Sequence, residues 1–237
     1  MKDIIQFIKN QVKSANAKGV VLGLSGGIDS AVVAVLAKKA LGTKNVLCYY
    51  LPYNTDINNS EHIFKLCNKF KLKCTNLSIK QIVDLFTYYP KEELTKGNIK
   101  ARIRMTYLYT FANSKNCLVI GTTNKSELMT GYFTKYGDGA CDFEPIAHLY
   151  KTEVIQLAKQ LGIPDEIINK PPSADLWKGQ TDEDEIGLSY YELDEILQFI
   201  EMKGNYPESK NITWNISKVL KMIYKSEHKR NQPPVIE

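Results

Sequence analysis

The sequence predicts an α/β fold: a doubly wound, mainly parallel sheet with helices on both faces, followed by helices at the carboxyl end. Short apolar runs alternate with longer helical patterns through the first half of the chain. These runs lack polar alternation, as expected for strands that are buried on both faces. The first run leads directly into a glycine-containing turn and a helix, which is the start of a βα unit.

Four apolar runs are predicted to be strands: Val20–Ser25, Val46–Leu51, Cys74–Ile79 and Cys117–Thr122. Helical periodicity covers the segments between them, at residues 30–41, 58–70 and 97–113. Parallel strands joined by crossover helices form the βαβ units of a Rossmann-like sheet.

The second half of the chain is predicted to be mainly helical. KTEVIQLAKQL, at residues 151–161, has helical spacing, and the Gly162 and Pro164 that follow it are typical of a helix end. Residues 169–187 contain two prolines, two glycines and an acidic run, so we expect a long surface loop there. Two further helices are expected at 189–202 and 212–226.

Length and charge limit the functional classes. A chain of 237 residues is expected to form one large domain, 1–237, without a second catalytic domain. The formal charge of +5 is mild and spread along the chain, so we expect no nucleic-acid partner. No apolar run approaches the roughly 20 residues that cross a bilayer, so we expect no membrane partner. The start, MKDIIQFIKN, is unlike a signal peptide, which favours a cytoplasmic location.

The five cysteines contain no Cys-x-x-Cys pair, which argues against a disulfide framework and a zinc site. Cys48 and Cys117 lie in strand-like apolar runs and are expected to fill the core.

The stretch LSGGIDS, residues 24–30, is a candidate phosphate-binding loop. Its glycines permit a sharp turn, and the amides at the start of the next helix favour an anion. A glycine pair alone also fits a plain strand-to-helix turn. The loop has neither the lysine of a Walker loop nor the spacing of a dinucleotide fingerprint. Because Asp29 would repel a phosphate, it is a candidate Mg²⁺ ligand. The alternative is a helix-capping role, which Ser30 also suits.

The pattern S-G-G-x-D-S resembles the pyrophosphate-binding loop of the ATP pyrophosphatase superfamily. The resemblance implies cleavage of ATP between its α- and β-phosphates, with transfer of AMP to a carboxylate or carbonyl oxygen. In such chemistry Mg²⁺ neutralises the departing pyrophosphate.

Five further motifs, in order, are similar to those of the NAD synthetase family: GNIKARIRM (97–105), GTTNKSE (121–127), GYFTKYGDGACD (131–142), PPSADL (171–176) and EHKR (227–230). The resemblance spans almost the whole chain. It implies a ligase that amidates deamido-NAD with ammonia through an adenylated intermediate, releasing AMP and pyrophosphate in the last step of NAD biosynthesis. ATP is the implied co-substrate, Mg²⁺ the implied cofactor, and a homodimer the implied assembly.

Some relatives carry an additional nitrilase-like domain that releases ammonia from glutamine. The first predicted strand begins at Val20, which leaves no space for such a domain ahead of it. We therefore expect the ammonia-dependent form.

The resemblance carries functional roles onto matching positions. The residues implied to contact ATP are Gly23, Leu24, Ser25, Gly26, Gly27, Ile28, Asp29, Ser30, Thr122, Lys151 and Ser173. Those implied to contact deamido-NAD are Arg102, Lys135, Asp142, His228 and Lys229. Asp29 and Glu127 are the implied metal ligands. Since one follows the first predicted strand and the other the fourth, they meet if those strands are neighbours.

Several of these residues also have plainer interpretations. Glu127 fits an exposed first turn of a helix, and Lys151 a solvated lysine at a helix start. His228 and Lys229 fit a charged helix end. Ser173 stands where the family commonly has threonine, so its hydroxyl is kept but a methyl group is lost.

No histidine is a convincing general base, and Asp142 or Asp175 is only a candidate to deprotonate ammonium. The acidic segment 181–187 is expected to belong to a loop that orders over the substrates. The rival hypotheses are a GMP synthetase-like amidase, a tRNA-modifying thiolase and a non-catalytic nucleotide sensor. The chain lacks suitably spaced cysteines for a thiolase, and a sensor has no need of two metal carboxylates.

Overall fold

A four-stranded parallel sheet lies at the centre of the fold. Its strands are β1 (Val20–Gly23), β2 (Val46–Tyr50), β3 (Cys74–Asn76) and β4 (Leu118–Val119). They lie in the order β3-β2-β1-β4, and all three neighbouring pairs are parallel. The computed structural model describes residues 1–54, 56–86, 92–173, 179–202 and 212–236, with only the backbone for 212–214.

Eleven α-helices surround this sheet in the described ranges. They are α1 (Lys2–Ser14), α2 (Ile28–Leu41), α3 (Ile57–Phe70), α4 (Lys80–Asp84), α5 (Glu93–Lys115), α6 (Lys125–Thr130), α7 (Lys151–Leu161), α8 (Asp165–Ile168), α9 (Asp182–Ile186), α10 (Tyr190–Glu201) and α11 (Ile212–Arg230). Among the described residues, none of these helices combines the length and apolar character needed to cross a membrane.

Helices cover both faces of the sheet, which confirms the predicted doubly wound α/β class. Along β1, Val20 and Leu22 belong to the core cluster that contains α1, α2 and α7. Val21, between them, packs on the opposite side with Ala112 of α5 and with Val119. All three β1 side chains are fully buried, as expected for a strand with no polar alternation.

The strands are shorter than predicted. The fourth was expected to run to Thr122 but ends at Val119, after which Ile120 makes an isolated parallel bridge to Phe143. Its last residues instead lead to Asn124, which caps α6.

The predicted surface loop at 169–187 is partly wrong. Within it, Asp182–Ile186 forms α9, and the Thr181 hydroxyl caps this helix by accepting a hydrogen bond from the Asp184 amide at 3.2 Å. Acidic residues in a first helical turn are favoured by the helix dipole. Both ends of α9 are buried, so the acidic run is not a fully solvated segment.

A second apolar cluster joins the carboxyl-terminal helices to the sheet domain. It contains Ile186 of α9, Tyr190 and Leu193 of α10, and Val219 of α11, with Met129 of α6 packed against it. This cluster fixes α6 and the start of α7 between the sheet and the last helices.

All five cysteines are free thiols. Cys48 is buried in the core, as predicted, whereas Cys117 is only partly buried.

We predict that Gly19→Ala destabilises the fold by about 2–3 kcal/mol, because a Cβ there would lie 2.2 Å from the backbone oxygen of Asn45. Gly19 and Asn45 directly precede β1 and β2, so one strand start must shift. Urea unfolding measures the free energy. Gly162→Ala is the control: its φ of +72° strains alanine, but nothing lies within 4 Å, so about 1 kcal/mol is expected. Equal losses in the two variants would contradict this packing role.

Candidate active site

The loop between β1 and α2 makes a tight turn that its own side chains hold in place. The Ser30 hydroxyl donates to the Gly27 carbonyl oxygen at 3.0 Å, and the Ser25 amide donates to the Ser30 hydroxyl at 3.3 Å. Gly26 has a φ of +85°, which favours glycine. A Cβ on Gly26 would also lie 2.9 Å from the Asn59 amide oxygen.

The first turn of α2 is open to an anion. In the described structure, no side chain caps this helix, so neither Asp29 nor Ser30 has the capping role that the sequence allowed. Backbone amides at an uncapped helix start, with the positive end of the helix dipole behind them, form an anion-binding site.

A buried lysine joins the two predicted metal ligands. The Lys151 Nζ lies 2.6 Å from Asp29 Oδ2 and 3.2 Å from Glu127 Oε1. These side chains come from the first turns of α2, α6 and α7, at the carboxyl edge of the sheet. Because β1 and β4 are neighbours, the two carboxylates meet as their positions after those strands imply.

The structure contradicts the solvated interpretation of Lys151, which is only 2% exposed. Burial alone would lower the pKa of Lys151, but the charges of Asp29 and Glu127 raise it above its ordinary value. The lysine is therefore charged and compensates part of the negative charge of the two carboxylates.

Asn124 orients both carboxylates. Its side-chain amide donates to Asp29 Oδ1 at 3.0 Å, and its side-chain oxygen accepts from the Glu127 backbone amide at 3.0 Å. Glu127 completes a capping box by accepting from the Asn124 backbone amide at 3.3 Å. The N-x-x-E pattern in GTTNKSE is the sequence signal for this cap.

Asp29 and Glu127 fit a divalent cation. Both carboxylates contact one ammonium group, so a single cation is within reach of both. Two hard oxygen donors that leave positions for phosphate oxygens and water suit Mg²⁺. No cluster of three or more histidine, cysteine or acidic side chains able to hold a metal occurs in the described part of the chain.

Asp182 and Tyr190 border this group, and no sequence pattern assigns either of them an individual role. Asp182, at the start of α9, is 3% exposed and accepts from the Tyr190 hydroxyl at 3.0 Å. The Tyr190 ring centroid lies 4.9 Å from the Lys151 Nζ. Burial raises the pKa of Asp182. The other Asp182 oxygen, Oδ1, has no hydrogen-bond partner among the described residues.

A further buried carboxylate, Asp194 of α10, holds the helix starts together. It accepts from the Ser126 hydroxyl and, at 2.8 Å, from the Thr152 amide. Ser126 in turn accepts from the Lys151 amide at 2.9 Å. Ser126 and Thr152, the two residues that donate to Asp194, are the sequence neighbours of Glu127 and Lys151. An acidic residue on the apolar face of a predicted helix is the signal that would have identified Asp194.

Four of the five residues expected to contact deamido-NAD lie in one second cluster. Arg102 donates to the Lys135 carbonyl oxygen at 3.3 and 3.4 Å, and Lys135 donates to the His228 carbonyl oxygen. Lys229 donates to the carbonyl oxygens of Gly131 and Phe133, both at 2.7 Å. Since Gly131 is the C-cap of α6, this cluster lies near the helix that carries Glu127.

Asp142, the fifth residue, lies apart from this cluster. Its carboxylate accepts from the Val119 amide at 2.6 Å and from the Tyr109 hydroxyl at 3.3 Å. It is exposed and lies beside Val119 of β4.

The remaining predicted residues have simple positions. Thr122 is half-buried between β4 and α6. The Ser173 hydroxyl donates to the Gln180 carbonyl oxygen at 2.7 Å. Asp175, the other candidate base, lies outside the described residues.

Comparisons with known proteins agree on one family over almost the whole chain. The NAD synthase family model matches residues 1–233. A protein of Methanocaldococcus jannaschii named "NH(3)-dependent NAD(+) synthetase" is 49% identical over 99% of this chain and 95% of its own length. One of Thermococcus sibiricus with the same name is 46% identical over 97% and 93%.

Two solved structures have the same architecture. The NMN synthetase of Francisella tularensis has a TM-score of 0.88 and 36% identity, covering 99% of this chain and 96% of that one. The NH3-dependent NAD synthetase of Campylobacter jejuni has a TM-score of 0.86 and 36% identity, covering 100% and 96%.

We predict that Asp194→Asn destabilises the protein by about 1–3 kcal/mol in urea unfolding, because the amide group cannot accept both hydrogen bonds that the buried carboxylate accepts. Glu195→Gln, the neighbouring and exposed acidic position, is the matched control and should unfold as the wild type does. If Asp194→Asn unfolds at the same urea midpoint as the wild type, Asp194 does not hold the starts of these helices together.

Proposed function

The chain belongs to the NAD synthase family, and we infer that its reaction is the ATP-dependent amidation of deamido-NAD to NAD by ammonia. It is a ligase with ATP as co-substrate. The observation that carries the chemistry is the meeting of Asp29 and Glu127 beside an uncapped helix start. This arrangement suits a phosphate leaving group and a divalent cation, as the reaction requires.

In the first step, the nicotinate carboxylate attacks the α-phosphorus of ATP, and pyrophosphate leaves. The glycine turn and the first amides of α2 are proposed to hold the phosphates in line for this displacement. No general base is needed, since the attacking carboxylate is already ionised.

We propose that Asp29 and Glu127 hold Mg²⁺. When bound, this ion neutralises the charge that develops on the departing pyrophosphate. Lys151 holds one oxygen of each carboxylate, and Asn124 holds the other oxygen of each, so the orientation of both carboxylates is set. The proposed ATP contacts are the loop 23–30, with Thr122, Lys151 and Ser173.

In the second step, ammonia attacks the adenylated carboxyl carbon, and AMP leaves. Arg102, Lys135, His228 and Lys229 are proposed to bind deamido-NAD, supported by their shared cluster next to α6. Asp142 is also proposed to bind deamido-NAD, and for this residue the only support is the family resemblance. Exclusion of water matters here, because water competes with ammonia for the adenylate.

We further propose that the domain 1–237 uses free ammonia, as the names of its relatives state for them, and that it works as a homodimer in the cytoplasm. Five free thiols suit a reducing compartment. The family resemblance supports the homodimer.

We predict that the purified protein with ATP, Mg²⁺, ammonium and deamido-NAD forms NAD, AMP and pyrophosphate in equal amounts, measured by chromatography. Glutamine in place of ammonium should give no product. Nicotinate mononucleotide is the competing acceptor, because an NMN synthetase shares this architecture. If kcat/KM is higher with nicotinate mononucleotide than with deamido-NAD, nicotinate mononucleotide is the substrate and the assignment to deamido-NAD is wrong.

We predict that Asp29→Asn slows pyrophosphate formation at least about a hundredfold, while the Kd for deamido-NAD changes less than about threefold. The neutral amide keeps the shape of the side chain but is a much poorer ligand for Mg²⁺. Glu166→Gln removes an exposed carboxylate elsewhere and should leave both quantities unchanged. Equal losses of turnover and of deamido-NAD binding in Asp29→Asn would contradict its role as a metal ligand.

A further inference from the structure

We propose that Asp182 and Tyr190 are positioning residues of the ATP site, which hold the Lys151 ammonium group in place through the Tyr190 ring. The inference rests on the proposed function, because it concerns the same nucleotide site. Neither Asp182 nor Tyr190 belongs to the loop pattern or to the family motifs quoted above. The three residues come from the starts of α9, α10 and α7.

The Tyr190 ring is a third contact of the Lys151 ammonium group. The other two are the carboxylates of Asp29 and Glu127, at 2.6 and 3.2 Å. The ring centroid lies 4.9 Å from Lys151 Nζ, within the roughly 6 Å over which an aromatic ring attracts a cation. This attraction is larger when both groups are desolvated, and Lys151 and Tyr190 are each only 2% exposed. The ring therefore adds to the attraction that keeps the ammonium group at this point.

Neighbouring groups fix the ring itself. The Tyr190 hydroxyl donates to Asp182 Oδ2 at 3.0 Å, and the Tyr190 backbone amide donates to Glu183 Oε1 at 2.9 Å. Tyr190 also packs in the apolar cluster that contains Val219 of α11. The ring is thus held by its hydroxyl, its backbone and its packing, and it cannot turn away from Lys151 without breaking these contacts.

Asp182 also connects Lys151 with another proposed ATP contact. The Asp182 backbone amide donates to the Pro172 carbonyl oxygen at 2.9 Å. Pro172 directly precedes Ser173, which is proposed to contact ATP. The side chain of Asp182 meanwhile holds the Tyr190 hydroxyl. One buried residue therefore sets the segment that carries Ser173 and the ring beside Lys151 in a fixed relation.

Tyr150 offers a matched control in the same apolar cluster. Its ring centroid lies 4.5 Å from Lys125 Nζ, and its hydroxyl donates to Glu201 at 2.6 Å. The combination of lysine, ring and carboxylate is therefore the same as at Tyr190. Among the described residues, however, Lys125 forms its ion pair with Glu201 and not with a proposed metal ligand. A purely structural role for Tyr190 would make the two tyrosines equivalent.

The first experiment compares Tyr190→Leu and Tyr190→Phe with Tyr150→Leu and Tyr150→Phe in the full chain. Titration calorimetry measures the binding of Mg²⁺–ATP and of Mg²⁺–pyrophosphate without an acceptor, and thermal unfolding gives Tm. We expect Tyr190→Leu to weaken the binding of both ligands about tenfold, because the ammonium group loses its ring. Tyr190→Phe keeps the ring and should recover most of this loss. Both leucine variants should lower Tm, but the Tyr150 variants should bind both ligands as the wild type does.

Further variants test the path from Asp182 to Lys151. Asp182→Ala removes the acceptor of the Tyr190 hydroxyl and should weaken Mg²⁺–ATP binding about threefold. Asp182→Asn retains an acceptor oxygen and should recover most of this loss. In a Lys151→Gln background, Tyr190→Leu should cause no further loss, since no ammonium group is left to position. The Kd for deamido-NAD should be unchanged by each Tyr190 and Asp182 substitution.

Three results would overturn the assignment. The first is equal binding of Mg²⁺–ATP by Tyr190→Leu and Tyr150→Leu. The second is a further tenfold loss from Tyr190→Leu in the Lys151→Gln background, which indicates that Tyr190 acts independently of Lys151. The third is wild-type binding of Mg²⁺–ATP by Asp182→Ala. If Lys151→Gln does not fold, the comparison of the two tyrosines decides alone.

The binding measurement needs no acceptor, so it separates this inference from the proposed function. If the wild type binds Mg²⁺–ATP but forms no NAD, the proposed reaction is wrong, and the roles of Asp182 and Tyr190 are still tested.

Discussion

The structure around the site depends on one buried ammonium group held between two carboxylates. Asp29 and Glu127 come from different helices, and burial, together with the charge of Asp29, raises the pKa of Glu127 to about 8. Lys151 makes their approach possible by contacting both, at 2.6 and 3.2 Å. A buried charge is costly unless it is paired and hydrogen bonded, and Asn124 supplies the further hydrogen bonds. The ion pair therefore fixes where the starts of α2, α6 and α7 lie.

The position of Lys151 is unfavourable for its own helix, since a cation at a helix start opposes the dipole. The surrounding residues offset this cost. Glu153 accepts from the Tyr150 amide at 2.8 Å, and Asp194 accepts from the Thr152 amide at 2.8 Å. Both place negative charge on the same first turn. Lys151 is thus placed for the site and not for the stability of its own helix. The carboxylates of Glu153 and Asp194 offset the unfavourable interaction of the lysine with the helix dipole.

Local patterns predict the strands and most helices, because periodicity and strand ends are short-range signals. The order of the strands is a long-range property, so the meeting of Asp29 with Glu127 is expected only from the family resemblance, which implies that their strands are neighbours. Burial of Lys151 was not predicted, since lysine is seldom buried and its partners lie 122 and 24 positions away. For the acidic run at α9 the sequence predicts a surface loop, because the burial of Asp182 depends on a contact with Tyr190 that no local pattern shows. Asp194 was missed for the same reason: its partners belong to two other helices.

The phosphate loop without a lysine has a physical explanation in this arrangement. Its anion-binding groups are backbone amides, and its nearest side-chain charge is the negative Asp29, so positive charge has to come from elsewhere. The metal proposed at Asp29 and Glu127 supplies part of it. Lys151 supplies a further positive charge beside these carboxylates. This lysine lies more than a hundred residues after the loop, beyond β4. The nucleotide site is therefore complete only when α7 has packed onto α2, so that ATP binding depends on the folding of both halves of the domain.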